Sequence, residues 1–171
     1  MTDPSVMHAT IVLERTYDAS TARVFQALAD PQARARWGTP SKNVELVYDK
    51  AGFRVGGLDV SRCGPHGNLI YQVETRYMDI EPERRIVSTE VVRKGLNRLS
   101  VSLITVELQA VGSSTRLVLT DQIAAFGGKD MIAGSEAGFS AALTNLAAEF
   151  AREPADTDFG TSKDGAFVPQ Q

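Results

Sequence analysis

Hydrophobic and polar positions follow two different periods along this chain, and the changes of period outline the fold. Residues 8–17 (His-Ala-Thr-Ile-Val-Leu-Glu-Arg-Thr-Tyr) are rich in β-branched and aromatic side chains and predict a first strand. Val24, Phe25 and Leu28 then share one face of a predicted helix over 21–29, with Ser20 placed to cap it. Asp30-Pro31 ends that helix and opens a second short one, Asp30 as cap and Pro31 in the first turn. It runs out at Trp37-Gly38-Thr39-Pro40. From there to residue 123 no helical period holds, and strands are predicted at 44–48, 53–63, 69–79, 85–93, 99–110 and 115–123. The adjacent Gly56 and Gly57 inside one of them predict a bulge or a sharp bend. The helical period returns over 130–152, where Ile132, Phe139, Leu143, Leu146 and Phe150 form a single stripe. Gly134 and Gly138 weaken the first half of that helix by about 1 kcal/mol each relative to Ala.

Strands segregated from helices indicate an α+β fold with an antiparallel sheet. The expected architecture is a curved sheet of six or seven strands wrapped around the long C-terminal helix, with two short helices after the first strand. A strongly bent sheet gripping one helix leaves a hollow where the two diverge. The domain is expected over residues 8–152. Residues 153–171, rich in Asp, Gly, Ser, Thr, Pro and Gln, read as a disordered tail.

Composition narrows the function classes. With 171 residues, 43% hydrophobic and 23% charged, the chain is of ordinary globular make-up. Eighteen basic against 21 acidic residues argue against a nucleic-acid protein. Cys63 stands alone, so neither an internal disulfide nor a Cys-type zinc site can form. His8 and His66 leave few ways to build a His-based metal centre, and no metal or cofactor is expected. No secretory signal and no run of about 18 apolar residues is visible, so a cytoplasmic protein without membrane insertion is expected.

Several phrases resemble the START-like helix-grip (SRPBCC) superfamily. Within it the chain resembles the group related to the C-terminal domain of the Hsp90 ATPase activator, whose members are described as polyketide-cyclase-like or lipid-transport-like. The most specific phrase is Arg15-Thr16-Tyr17-Asp18-Ala19-Ser20, followed by Val24-Phe25-Gln26-Ala27-Leu28-Ala29-Asp30-Pro31 and Trp37. Gly52-Phe53-Arg54-Val55-Gly56-Gly57 is similar to the family's Gly-Gly bend. Tyr77 through Arg84 is similar to its strand-to-turn phrase, and Ser114 through Thr120 to its last strand. Thr75 stands where the family often has Gly, and Glu81-Pro82 where it often has two prolines. The resemblance implies an apolar cavity between sheet and helix, but fold does not fix an activity.

Candidate ligand contacts follow from strand parity and from this cavity. Tyr71, Val73 and Tyr77 share the better inward face of their strand; Leu117, Leu119 and Asp121 share another. A carboxylate on an apolar parity needs a partner, so Asp121 either caps the strand end or binds a ligand hydroxyl or acts as a base. Trp37 either anchors the short helix or offers a large apolar face, and Phe139 and Leu143 either pack the core or touch a ligand. Arg15 shares parity with Leu13 and Tyr17; Arg54, Arg62, Arg93 and Arg98 can pair with Glu74, Glu90 or an anionic ligand.

His66, in a Gly-Pro-His-Gly turn, is the other candidate acid–base group. A metal site from Asp59, Cys63 and His66 is rejected for irregular spacing, and Cys63 lacks a base to make it a nucleophile. Gly127-Gly128-Lys129-Asp130 lacks the full phosphate-loop pattern and reads as a hinge or gate.

The leading expectation is a binder of a small hydrophobic, lipid-like or aromatic ligand under the C-terminal helix. One alternative is a polyketide cyclase or hydrolase-like enzyme using Asp121 or His66. Another is an Hsp90 co-chaperone-like module, weakened because the family's chaperone activators carry a further N-terminal domain. A homodimer is a possible assembly.

Overall fold

A computed structural model describes residues 5–151, and the expected tail at 153–171 lies outside the described residues. The elements are β1 (Met7–Tyr17), α1 (Thr21–Ala29), α2 (Pro31–Trp37), β2 (Val44–Lys50), β3 (Leu58–Pro65), β4 (Tyr71–Glu81), β5 (Arg85–Lys94), β6 (Asn97–Val111), β7 (Ser114–Ala125) and α3 (Lys129–Ala151). One sheet of seven strands has the order β1-β7-β6-β5-β4-β3-β2, and every neighbouring pair is antiparallel. Helices α1 and α2 carry the chain from one edge of the sheet to the other, and successive hairpins bring it back. This is the α+β helix-grip architecture that the pattern predicts.

The start of the two short helices follows the predicted chemistry. Ser20 accepts from the Arg23 amide, and Asp30 accepts from the Gln32 amide with Pro31 in the first turn. Strand bounds differ from expectation mainly at the diglycine. Residues 51–57 form a bend, and β3 begins only at Leu58. Gly56 sits at φ 77°, and a Cβ on Gly57 would lie 1.8 Å from the Gly52 carbonyl oxygen, so only glycine allows this close passage. The Gly56 amide donates to the Tyr77 carbonyl at 2.7 Å, which ties the bend to β4. Register slips between Tyr77 and Asp79 and between Val92 and Arg93 mark bulges that curve the sheet and let β4 run on to Glu81.

The main core lies between the concave face and the second half of α3. Tyr17, Val24, Leu28, Leu117, Leu119, Leu143 and Leu146 form its centre. Burying each large apolar side chain there contributes about 1.5–3 kcal/mol. The same half of α3 is fixed by polar contacts. Tyr17 Oη donates to the Leu143 carbonyl at 2.6 Å, Asn145 Nδ2 to the Thr39 carbonyl at 2.7 Å, and Arg36 pairs with Glu149 at 2.8 Å. Arg15 Nη2 donates to Ser140 Oγ at 2.9 Å, so its parity with Leu13 and Tyr17 does point it at the helix. Helix α3 packs on β1, β7, α1 and α2, which leaves the inner face of β3–β5 outside its main footprint.

A buried ionic group joins α2 to the far side of the sheet. Arg34 pairs with Asp59 Oδ2, and its Nη1 also donates to Tyr77 Oη at 2.7 Å. Tyr77 Oη donates to the same carboxylate oxygen at 2.5 Å, and the Gly52 amide donates to Asp59 Oδ1 at 2.7 Å. Tyr48 lies with its ring centroid 4.8 Å from the Arg34 guanidinium carbon. Removing one member strands a buried charge. Asp59→Ala is therefore expected to cost about 3–5 kcal/mol, and Tyr77→Phe about 1 kcal/mol, in urea-unfolding free energy. Equal, small losses for both would show that the group adds little.

Candidate functional site

On the concave face the inward positions split into two populations. Those of β6 and β7 are closed: Ser100, Ser102, Ile104, Leu117, Leu119, Asp121 and Ile123 are all buried. Toward β2, Tyr48, Cys63, Tyr71, Val73, Thr75, Glu90 and Val92 keep intermediate exposure, while Asp59, Ser61, Tyr77, Ile86 and Ser88 on the same face are buried. The register joins this second set into one patch, with Cys63 opposite Tyr71, Ser61 opposite Val73, Thr75 opposite Glu90 and Val73 opposite Val92. This partly open strip, termed the trough, lies on the inner face beyond the main footprint of α3, whose Ile132, Ser135 and Phe139 are likewise only partly buried.

The trough is more polar than an apolar cavity would be. Glu90, Thr75, Ser61 and Cys63 lie on its floor, and Ser88, Ser100 and Ser102 continue the polar stripe beneath the helix. Asp121 is fully buried at the end of this stripe; its Oδ2 accepts from Ser135 Oγ at 3.0 Å, and its Oδ1 has no hydrogen-bond partner among the described residues. Glu90 likewise has no hydrogen bond or ion pair among the described residues. Burial first, and the Asp121 carboxylate second, push its pKa up to about 7. Burial and the charge of Asp121 thus both favour the protonated form of Glu90. Burial, and then Glu90, also raise the Cys63 thiol, so it rests as a neutral thiol and not as a nucleophile.

The predicted site residues fall into distinct places. Tyr71, Val73 and Asp121 border the trough or its end. Tyr77 faces inward but is buried in the ionic group with Arg34 and Asp59, and burial raises its pKa. Leu117, Leu119 and Leu143 are enclosed in the core and present no surface to a ligand, because the second half of α3 closes directly over them. Phe139 packs partly on the same core. Trp37 donates its indole N–H to the Ala27 carbonyl at 2.9 Å, which makes it the brace between α1 and α2.

His66 sits in an exposed turn, its Nε2 at 2.8 Å from the Lys42 carbonyl and its Nδ1 3.7 Å from Glu45. Arg62 pairs with Asp49 at 2.6 Å, on the outer face. Among the described residues no three His, Cys, Asp or Glu side chains come together as a metal set. Glu90, Thr75 and Tyr48 were not singled out as ligand contacts by the sequence pattern. The signal for Glu90 is the parity Ile86, Ser88, Glu90, Val92, in which the carboxylate shares a face with Ile86 and Val92.

The family model described as "Activator of Hsp90 ATPase homolog 1-like protein" matches residues 18–151. The chain belongs to this family. Among solved structures, it is similar to the Mll3558 protein from Rhizobium loti, with 41% identity, a TM-score of 0.73, and 84% of this chain and 98% of that one covered. A protein from Rhizobium leguminosarum is 30% identical, with a TM-score of 0.76 and 86% and 97% covered. CalU16 from Micromonospora echinospora is 23% identical over 86% of this chain and 87% of its own, TM-score 0.58, and shares the fold. No curated protein matches the chain. The family match agrees with the resemblance of the sequence to the Hsp90 activator group, and the solved structures share the fold of seven strands and a long C-terminal helix. Among the described residues no helix is long and apolar enough to cross a membrane.

The position of Glu90 makes stability depend on pH. An unfolded Glu titrates near 4.5 and the folded one near 7, so between these values the native state binds more protons than the unfolded state. Stability therefore falls as pH rises from 4.5 to 7 and stays at the lower level above. The full cost is at most about 3 kcal/mol. Urea midpoints of Glu90→Gln are expected to lose this slope and to exceed those of the unsubstituted protein at pH 8. An unchanged slope would show that Glu90 titrates as an ordinary surface carboxylate.

Proposed function

We propose that this protein binds a small molecule with an apolar, aromatic or lipid-like body and at least one hydrogen-bonding group, laid in the trough over β3–β5. The observation that carries this reading is the contiguous inward patch Tyr48, Cys63, Tyr71, Val73, Thr75, Glu90 and Val92, left partly open while the neighbouring inward positions are closed. Val73, Val92 and the rings of Tyr48 and Tyr71 supply apolar area, worth roughly 25 cal/mol for each Å² removed from water. Glu90 reads the polar group. Protonated it donates to a ligand carbonyl; ionised it accepts from a hydroxyl. The predicted ligand contacts Tyr71, Val73 and Asp121 are kept in this reading, with Asp121 acting through Glu90. Tyr77, Trp37, Leu117, Leu119 and Leu143 hold the trough's shape from behind.

A cyclase-type reaction is a second reading, and one observation favours it. A carboxyl with pKa about 7 beside a buried carboxylate can take a proton from an activated carbon and return it at neutral pH. Under that reading Glu90 is the acid–base group, in place of His66. Native mass spectrometry of protein purified from its own cells without detergent tests the binding proposal. A retained small molecule is expected, and Val73→Trp, which fills the trough, is expected to abolish retention with the thermal midpoint kept within a few degrees. Retention unaffected by Val73→Trp would place the ligand elsewhere. For the second reading, Glu90→Gln is expected to keep the bound molecule and lose any turnover of it.

A further inference from the structure

The outer face of the sheet carries a second hollow, at the end where β5 turns into β6. It is a wide-open depression of about 750 Å³ lined by Val91, Arg93, Leu96, Asn97, Arg98, Val101 and Phe126. Such a volume lies within the usual range for small-molecule sites. Val91 and Val101 stand opposite one another on the outer parity and form an apolar floor. Leu96, 99% exposed at the hairpin tip, and Phe126, 43% exposed after β7, are its apolar walls. Phe126 is fixed there because its amide donates to the Leu99 carbonyl at 2.8 Å.

The charge of this hollow is unbalanced. Arg93 and Arg98 are direct cross-strand partners, and like charges placed so repel. Lys94 follows Arg93, and no acidic residue lines the hollow. Most other arginines of the sheet and helices have carboxylates: Arg34 has Asp59, Arg36 Glu149, Arg62 Asp49, Arg85 Asp79 and Arg116 Glu14. Arg93 and Arg98 have no such partner among the described residues. Moreover Arg93 Nε is shut off from solvent with no acceptor. A buried donor without a partner costs free energy until an acceptor arrives.

We propose that this hollow is a binding site for an anionic amphiphile. The head group lies between the Arg93 and Arg98 guanidiniums, and the apolar chain lies on Val91, Val101, Leu96 and Phe126. An anion there relieves the cross-strand repulsion and gives Arg93 a charge-assisted acceptor. The site is on the opposite face of the sheet from the trough and stands independently of the trough's function.

Titration of the ¹⁵N-labelled full chain with monomeric decanoate, followed by amide shifts, tests the proposal. Saturable shifts are expected at Leu96, Asn97 and Phe126. Decyltrimethylammonium, with the same chain and the opposite charge, is expected to give none there. The double variant R93Q/R98Q is expected to bind decanoate about tenfold or more weakly. Arg98→Gln alone is expected to raise the thermal midpoint of the free protein, since it removes the repulsion, and to reduce the further rise on adding decanoate. Equal binding of the cationic detergent, undiminished binding by the double variant, or shifts confined to Val73, Thr75 and Glu90 would each overturn the proposal. So would binding to phosphatidylglycerol vesicles with no response to free decanoate, which would assign the patch to a membrane surface.

Discussion

The shared carboxylate of Asp59 is the constraint on which the open side of this molecule depends. The second half of α3 covers β1 and β7 and packs on one side of α2, whereas the other side of α2 meets β3. Their polar link is one oxygen of Asp59, taken by Arg34 and Tyr77 at once; the other oxygen is taken by the Gly52 amide, and the Arg34 guanidinium lies over the Tyr48 and Phe53 rings. Buried ion pairs of this kind rarely add much net stability against an apolar replacement. Their effect is positional. The rings of Phe25, Phe53 and Tyr77 stack edge to face around this polar knot, while Tyr48, Tyr71 and Val73 stay partly open.

The inner face has two chemical characters, divided along β6. Under the clamped half of α3 it is aliphatic, with Leu117, Leu119, Ile104 and Leu143 in contact. Toward the loose half it becomes hydroxyl- and carboxyl-rich, with Ser88, Ser100, Ser102, Glu90 and Asp121. A purely apolar pocket would bind whatever is greasy. The acidic pair makes the polar end of a guest count as well, since an acceptor or donor left facing Glu90 unmatched is penalised.

Much of the fold was legible in the text, for physical reasons that can be named. Period-two stretches, the Asp30-Pro31 break and the stripe from Ile132 to Phe150 each report a local preference that tertiary packing reinforces. The apolar parity of Asp121 likewise led to a residue that is buried on the inner face. Glu90 was harder to see, because Ser88 dilutes the apolar signal of its parity. The knot was beyond reach of any window. Arg34, Asp59 and Tyr77 are 25 and 18 positions apart in sequence, and only the pairing register and the bulge after Tyr77 bring them together. Leu117, Leu119 and Leu143 lie beneath the second half of the helix, a closure that strand parity alone does not report.

Helix α3 behaves as a beam fixed at one end only. Tyr17, Arg36 and the Thr39 carbonyl grip it from Leu143 onward, whereas its first half holds on through Met131, Ile132, the Ser135 hydroxyl, Phe139 and the Arg15–Ser140 bond, and contains Gly134 and Gly138. Bending such a beam moves the tip most and the root least. If a ligand occupies the proposed trough, deflection of the amino-terminal turns would open the way to it while the hydrophobic root stays shut.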